Sequence, residues 1–254
     1  MLAQADQSGA IRTFTAALEI DNHYAPAYAH RGKAYLDNWS FARAAADLGT
    51  ATALNPNDIE SHVLLAETLL ELNNASHALS SADQALAIDP MSAPAHTARA
   101  IVLASRGWYA LAKEHANWAV YLDDHHAKAF AVRGDILVKQ GPWDNALSDY
   151  SASIRLEPTL ERAILGRCVL YRRTGQYDKA MADAQMAIKA NPLSAQAYAQ
   201  RAMIYRDLGQ FARGIDDCDR ALYLQPGHAY TLRRRAMIAM GEKQFAIASD
   251  NISQ

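Results

Sequence analysis

Small apolar residues recur along this chain at a fixed step. Ala10, Ala44, Ala78, Ala112, Ala146, Ala180 and Gly214 stand 34 residues apart, and Ala248 falls on the next step. Seven positions after each of the first seven comes another small residue: Ala17, Ala51, Ala85, Ala119, Ser153, Ala187 and Ala221. A third set, Gly32, Ala66, Ala100, Gly134, Cys168, Ala202 and Ala236, keeps the same phase. So do Pro56, Pro90, Pro158, Pro192 and Pro226, with Asn22 and Asp124 filling the steps that lack a proline. Between the second small residue of one step and the first of the next, the chain carries Gly107, Gly141, Gly175 or Gly209. Each is followed two residues on by a ring: Tyr109, Trp143, Tyr177 or Phe211. The pattern predicts two helices per 34 residues. A glycine in the left-handed conformation closes the first helix. The aromatic packs across the elbow, and a residue unable to continue a helix ends the second.

The order of slots resembles the tetratricopeptide repeat family. The run Ile164, Cys168, Tyr171, Gly175, Tyr177, Ala180, Ala184, Ala187, Pro192 follows that family's pattern of ring or apolar, small, Tyr, Gly, ring, Ala and Pro residues. So does Tyr198, Ala202, Tyr205, Gly209, Phe211, Gly214, Cys218, Ala221, Pro226. Asn73 and Ala75 replace the glycine and the ring in one unit, and Asp124 replaces a proline. The resemblance implies an all-α fold, a right-handed α-solenoid of antiparallel helix pairs.

The register divides the chain into a half-unit at 1–24, then units at 25–58, 59–92, 93–126, 127–160, 161–194 and 195–228. A truncated unit at 229–254 stops inside its second helix. The expected organisation is one continuous array over 1–254, held by nearest-neighbour interfaces. Pro26 and Pro94 suit the first turn of a helix, and Pro142 an interhelix turn. Ile11, Phe14, Leu18 and Ile20 at one end, and Ile247, Ile252 and Gln254 at the other, lie on unpaired second helices without a polar cap. The chain is therefore expected to be part of a longer array, or to associate end to end.

Charge changes the picture more than composition does. Residues 1–126 carry 7 Lys/Arg against 14 Asp/Glu, and residues 127–254 carry 18 against 13, so a total of −2 conceals a dipolar molecule. No apolar run is long enough for a membrane span. No signal peptide is visible at Met1-Leu2-Ala3-Gln4, which is compatible with a cytoplasmic protein. Cys168 and Cys218 occupy small-residue slots and read as packing residues rather than a disulfide.

Catalytic and cofactor chemistry finds little purchase. There is no P-loop, dinucleotide fingerprint, HExxH or CxxC. Among the nine histidines the densest cluster is Asp123-Asp124-His125-His126, a turn whose aspartates suit helix capping better than a metal. His62 and His96 stand at the aromatic slot of the first helix and read as ring fillers. No cofactor, no metal and no enzymatic activity are expected.

Arg31, Arg99, Arg133, Arg167, Arg201 and Arg235 share one slot, and Asp47, Asp149, Asp183 and Asp217 follow four of them by 16 residues. Arg99 meets His115 and Arg235 meets Asn251 at that spacing. These pairs are expected to bridge the two helices of one unit, as scaffold.

The family resemblance places function on the concave face, lined by first helices. The slots concerned supply Asp37, Glu60, Glu67 and Glu71 early in the chain. Val63, Leu64, Ile101, Val132, Leu165 and Val169 follow in the middle. Arg162, Arg172, Arg173, Arg206, Arg233 and Arg234 come late. The plainer account is a set of solvated faces. The sharper one is a peptide groove with an apolar floor, its guest acidic and apolar. The Lys/Asn clamp for a terminal carboxylate found in some relatives is not matched, since its slots hold Ala29, Lys33, Leu64, Pro94 and Ala98. The expected function is a non-catalytic protein-interaction scaffold. Two alternatives are a nucleic-acid binder using the late arginines with Tyr230 as a stacking ring, and the docking arm of a larger enzyme.

Overall fold

The computed structural model describes the backbone of residues 2–141 and 143–252, and side chains over 8–141 and 143–243. Pro142 and Gln254, and the side chains of Ile247, Asn251 and Ile252, lie outside it.

The chain divides into two compact bodies, Met1–Gln140 and Gly141–Gln254. The first holds α1 (Leu2–Ile20), α2 (Ala25–Asp37), α3 (Phe41–Leu54), α4 (Ile59–Glu71), α5 (Ala75–Ile88), α6 (Ala93–Ser105), α7 (Tyr109–Leu122) and α8 (Ala127–Gln140). The second holds α9 (Trp143–Leu156), α10 (Glu161–Arg173), α11 (Tyr177–Ala190), α12 (Ala195–Asp207), α13 (Phe211–Leu224) and α14 (Ala229–Ile252). Among the described residues there is no strand, and the all-α fold of paired helices is as expected. No described helix is long and apolar enough to cross a membrane.

The recurring slots explain the elements. α1, α3, α5, α7, α9, α11 and α13 each end two residues before Asn22, Pro56, Pro90, Asp124, Pro158, Pro192 and Pro226 respectively. Pro26 and Pro94 sit in the first turns of α2 and α6, where no amide hydrogen is needed. The first helices close with paired bonds. Gln176 N–H donates to Tyr171 O at 2.8 Å, and Gly175 N–H to Arg172 O at 3.2 Å, with Gly175 at φ 73°. Two units form the same turn without glycine: Trp39 and Asn73 both adopt φ 57°.

Within each body a first helix packs on the second helix of its own pair and on that of the preceding pair. Small residues make these contacts close. Ala44, Ala66, Ala78, Ala100, Ala112, Ala180 and Ala202 are wholly buried. A Cβ on Gly32 would stand 2.8 Å from Leu48 Cγ, and one on Gly166 would stand 2.5 Å from Tyr150 Cζ. Cys168 and Cys218 are buried free thiols in these contacts. Burial pushes them up to about 12 and about 11, so both stay protonated at neutral pH.

α1 packs on α2 as an opening half-pair, with Leu18 buried, Phe14 stacked on His30 and Ile20 exposed. At the other end the structure departs from the sequence reading. α14 runs unbroken over 24 residues, and the second helix expected in the truncated unit is not separated by a turn. The slot that turns at Gly209 is Lys243 here, a residue at ease in a helix interior.

Candidate functional site

The recurring arginines bind side chains of neighbouring second helices. Arg31 Nε and Nη2 donate to Asp47 at 2.7 and 2.9 Å. Arg167 donates likewise to Asp183 at 2.9 and 2.8 Å, and Arg201 to Asp217 at 2.7 Å twice. These are planar forks on largely buried carboxylates, and the hydrogen bond to the aspartate is the main cause that raises each arginine's pKa. Arg133 lies in the first body and Asp149 in the second.

The spacing also works backwards, which the sequence reading missed. Arg31 Nη1 donates to Thr15 Oγ1 at 3.1 Å, Arg167 Nη1 to Ser151 Oγ at 3.2 Å, and Arg133 Nη1 to Asn117 Oδ1 at 3.4 Å. Arg235 pairs with Asp219 at 2.5 Å, and the Asn251 side chain expected opposite it lies outside the described residues. Each partner stands 16 residues earlier, on the second helix of the preceding pair. The signal was a polar slot two residues after the aspartate slot. At Arg31 and Arg167 the recurring arginine is thus a three-helix tie.

One unit replaces the aspartate with a histidine relay. His96 Nε2 lies 3.1 Å from Pro90 O, His96 Nδ1 lies 2.8 Å from His115 Nδ1, and His115 Nε2 lies 2.9 Å from Arg99 Nη1. The ends assign the tautomers. The carbonyl only accepts, so His96 carries its proton on Nε2, and the guanidinium only donates, so His115 carries its own on Nδ1. Both imidazoles are neutral. Burial, then Arg99 and His96, push His115 down to about 4. Burial also lowers His96, against the hydrogen bond it donates to Pro90 O. His62 makes the same 3.1 Å contact from Nε2 to Pro56 O, so these rings latch the proline turn as well as filling space. Asp83 lies 2.8 Å from Arg99 Nε, at an angle that leaves that N–H without a hydrogen bond.

The Asp123, Asp124 and His125 side chains are exposed with ligand atoms within 4.8 Å of one another. Asp123 Oδ1 already accepts from His125 N–H at 2.9 Å, as a turn aspartate does.

The first-helix slots separate by depth. In the first body Val63 and Val132 are not on the surface: they pack in small-residue clusters with Ala66 and Ala98, and with Ala100 and Ile136. Leu165 is likewise buried in the second body. These slots turn toward the neighbouring helix, so the accessible apolar positions narrow to Leu64, Ile101 and Val169, each half-buried. Glu67 on α4 reaches Lys128 on α8 at 2.5 Å, and Lys33 reaches Glu60 at 2.8 Å. Glu71 and Asp37 are exposed.

In the second body three late arginines converge. Arg172 on α10 donates from Nη1 to Asp207 Oδ2 at 2.6 Å, and Arg206 donates to Asp207 Oδ1 at 2.9 and 2.6 Å. Arg234 on α14 is only 5% exposed, which marks it as a buried charge. Its Nη2 donates to Tyr230 Oη at 2.7 Å and Gln200 Oε1 at 3.3 Å, and its guanidinium lies 4.1 Å from the Tyr230 ring centroid. Burial is the main cause that lowers its pKa, and nearby Arg172 adds to it. Arg172 Nε and Arg234 Nη1 are buried without a hydrogen-bond partner. Arg162, Arg173 and Arg233 are exposed.

Residues 40–102 match a tetratricopeptide repeat family model, and residues 169–229 match a second. The chain is a tetratricopeptide repeat protein. Its fold is that of solved repeat proteins. A crystal structure of the APC/C hetero-tetramer Cut9-Hcn1 is similar at a TM-score of 0.78 and 12% identity, over 92% of this chain and 46% of that one. The present chain thus spans about half of that relative's length. A tetratricopeptide repeat protein from Parabacteroides merdae is similar at 0.70 and 16% identity, over 94% of both chains. A thermophilic one from Thermus thermophilus is similar at 0.65 and 20% identity, over 72% of this chain and 99% of that one. No curated protein sequence matches this tetratricopeptide repeat chain. Tetratricopeptide repeat proteins are in general protein-interaction scaffolds.

Proposed function

We propose that this chain is a non-catalytic interaction scaffold whose second body takes an acidic, apolar-centred segment on its first-helix face. The observation that carries this is the imbalance of charge there. Arg172 and Arg206 share the carboxylate of Asp207, and Arg234 has no carboxylate partner among the described residues. Arg173, one turn beyond half-buried Val169 on α10, and Arg233 on α14 stand exposed. A guest carboxylate would offset this excess through charge-assisted bonds, and the apolar position would take the middle of the segment.

Arg172 is tied to Asp207, so the clean probes are the two exposed residues, Arg173 and Arg233. Peptides selected from a random displayed library against the immobilised chain should be enriched in Asp and Glu. Arg173→Glu with Arg233→Glu should weaken a selected peptide, as should added salt. Selected peptides without acidic residues, or affinity indifferent to the double substitution, would refute the reading. Loss of binding to RNA or DNA of any sequence in the same variant would favour the nucleic-acid alternative.

A further inference from the structure

α7 differs from the other second helices on its outward face. Leu111, Trp118 and Tyr121 occupy slots that hold Arg43, Thr50 and Ala53, or His77, Gln84 and Ala87, or Asn145, Ala152 and Arg155, or Lys179, Met186 and Lys189, or Arg213, Arg220 and Tyr223, so that of the three only the tyrosine recurs. Trp118 is 51% and Tyr121 78% exposed. Their rings stand nearly perpendicular, with centroids 5.7 Å apart and planes at 82°. Glu114 and Asn117 fall on the same helical face, and the four side chains line a depression of about 340 Å³.

The Trp118 ring is held from within. It stacks on His96 at 6.3 Å and 24°, and His96 stacks on His115. The relay fixes both imidazoles as neutral, so no positive charge supports the indole from behind.

Three other exposed rings already have a cation, while Trp39 and Tyr24 are exposed without one among the described residues. Arg106 lies 4.6 Å from the Trp108 centroid, Arg173 lies 5.9 Å from Trp143, and Arg220 lies 5.4 Å from Tyr223. Among the described residues no Lys or Arg stands over Trp118 or Tyr121. Arg133 reaches the rim through Asn117, but its guanidinium lies over Phe130 at 5.5 Å. Lys113 is exposed, one position round the helix from Glu114. The first body as a whole is acidic, with 10 Lys/Arg against 15 Asp/Glu over residues 1–140.

Two aromatic faces at right angles and a carboxylate favour a cation over a neutral guest. The ring quadrupoles attract positive charge, and the acid neutralises it. We propose that Trp118, Tyr121 and Glu114 form a pocket on α7 that docks an arginine side chain of a partner protein. The guanidinium lies flat against one ring and donates to the carboxylate, while Asn117 borders the slot. This site is on a second helix, so it stands or falls independently of the first-helix face.

The test uses the full chain, labelled with ¹⁵N, and the indole N–H signals of its 4 tryptophans, with Trp118 assigned by Trp118→Phe. The probe is a short capped peptide containing one arginine, compared with the same peptide carrying citrulline, its neutral isostere. The arginine peptide should shift the Trp118 signal saturably. Citrulline should bind roughly 3- to 30-fold more weakly, and Tyr121→Ala and Glu114→Gln should each weaken the arginine peptide by a similar factor. These side chains point outward, so unchanged helical circular dichroism is expected. An equal response to citrulline would overturn the proposal in favour of a plain apolar contact. So would no saturable shift in the unsubstituted chain, or full affinity in Glu114→Gln.

Discussion

Acidification should loosen α6 and α7 before it affects the rest of the first body, because the histidine relay has no room for another proton. A proton added to His115 Nε2 would face the Arg99 N–H, and one added to His96 Nδ1 would face the His115 N–H. Arg99, with Asp83 beside it, and Asp89 are the charged groups acting on the pair. His115 falls from an ordinary 6.5 to about 4 in the folded protein. Between those values the unfolded chain binds a proton that the folded chain refuses. The relay's contribution is therefore complete above the unfolded value, declines as pH falls through that window, and is gone below about 4. At about 1.4 kcal/mol per pH unit the full gap would be roughly 3 kcal/mol; solvent contact at His115 reduces this to the order of 1–2 kcal/mol. Amide exchange of α6 and α7, measured with denaturant at a series of pH values, reads this directly. His115→Gln, which does not titrate, should flatten the pH dependence there. An unsubstituted chain and variant with equal pH slopes would refute the reasoning, as would a folded His115 imidazole titrating at its ordinary value.

Two further outcomes follow from the packing and the ties. Gly166→Ala forces a methyl against the buried Tyr150 ring and should cost about 1–3 kcal/mol in urea unfolding, whereas Gly49→Ala, with nothing within 4 Å of the new carbon, should gain about 0.5–1 kcal/mol; equal effects would show that the α9–α10 contact yields. Asp183→Ala strips a fork whose carboxylate is 4% exposed and should cost on the order of 3 kcal/mol, while Asp219→Ala, at 52% exposed, should cost below about 1 kcal/mol; similar losses in a denaturation series would mean that burial does not set the strength of these ties.

The helix pairs were legible because their signals are local and repeated. A proline or its substitute two residues past each second helix, and a small residue at each crossing, need no tertiary knowledge to read. The forks to Asp47, Asp183 and Asp217 were legible for the same reason, being one residue pair repeated at one spacing. The relay was not, because its order depends on ring directions that spacing does not encode. Val63, Val132 and Leu165 were read as lining because a slot number cannot distinguish the flank of a helix from its crest. Trp39 shows the limit of the turn signal: its left-handed backbone is imposed by the two flanking helices and not by its own preference. The continuous α14 shows the converse, since nothing at Lys243 commands a turn.

The alanine contacts have a mechanical consequence. Methyl groups bring two helices close but interlock weakly, so such a seam resists prying apart more than it resists slipping lengthwise. One turn of slip is only about 5.4 Å. That motion would carry Arg167 away from Asp183 on one flank and Ser151 on the other, both held within 3.2 Å. The arginines therefore act as keys against shear in a seam whose alanines supply adhesion. A partner pulling along the helices would load the keys, and a partner prying between them would load the alanines.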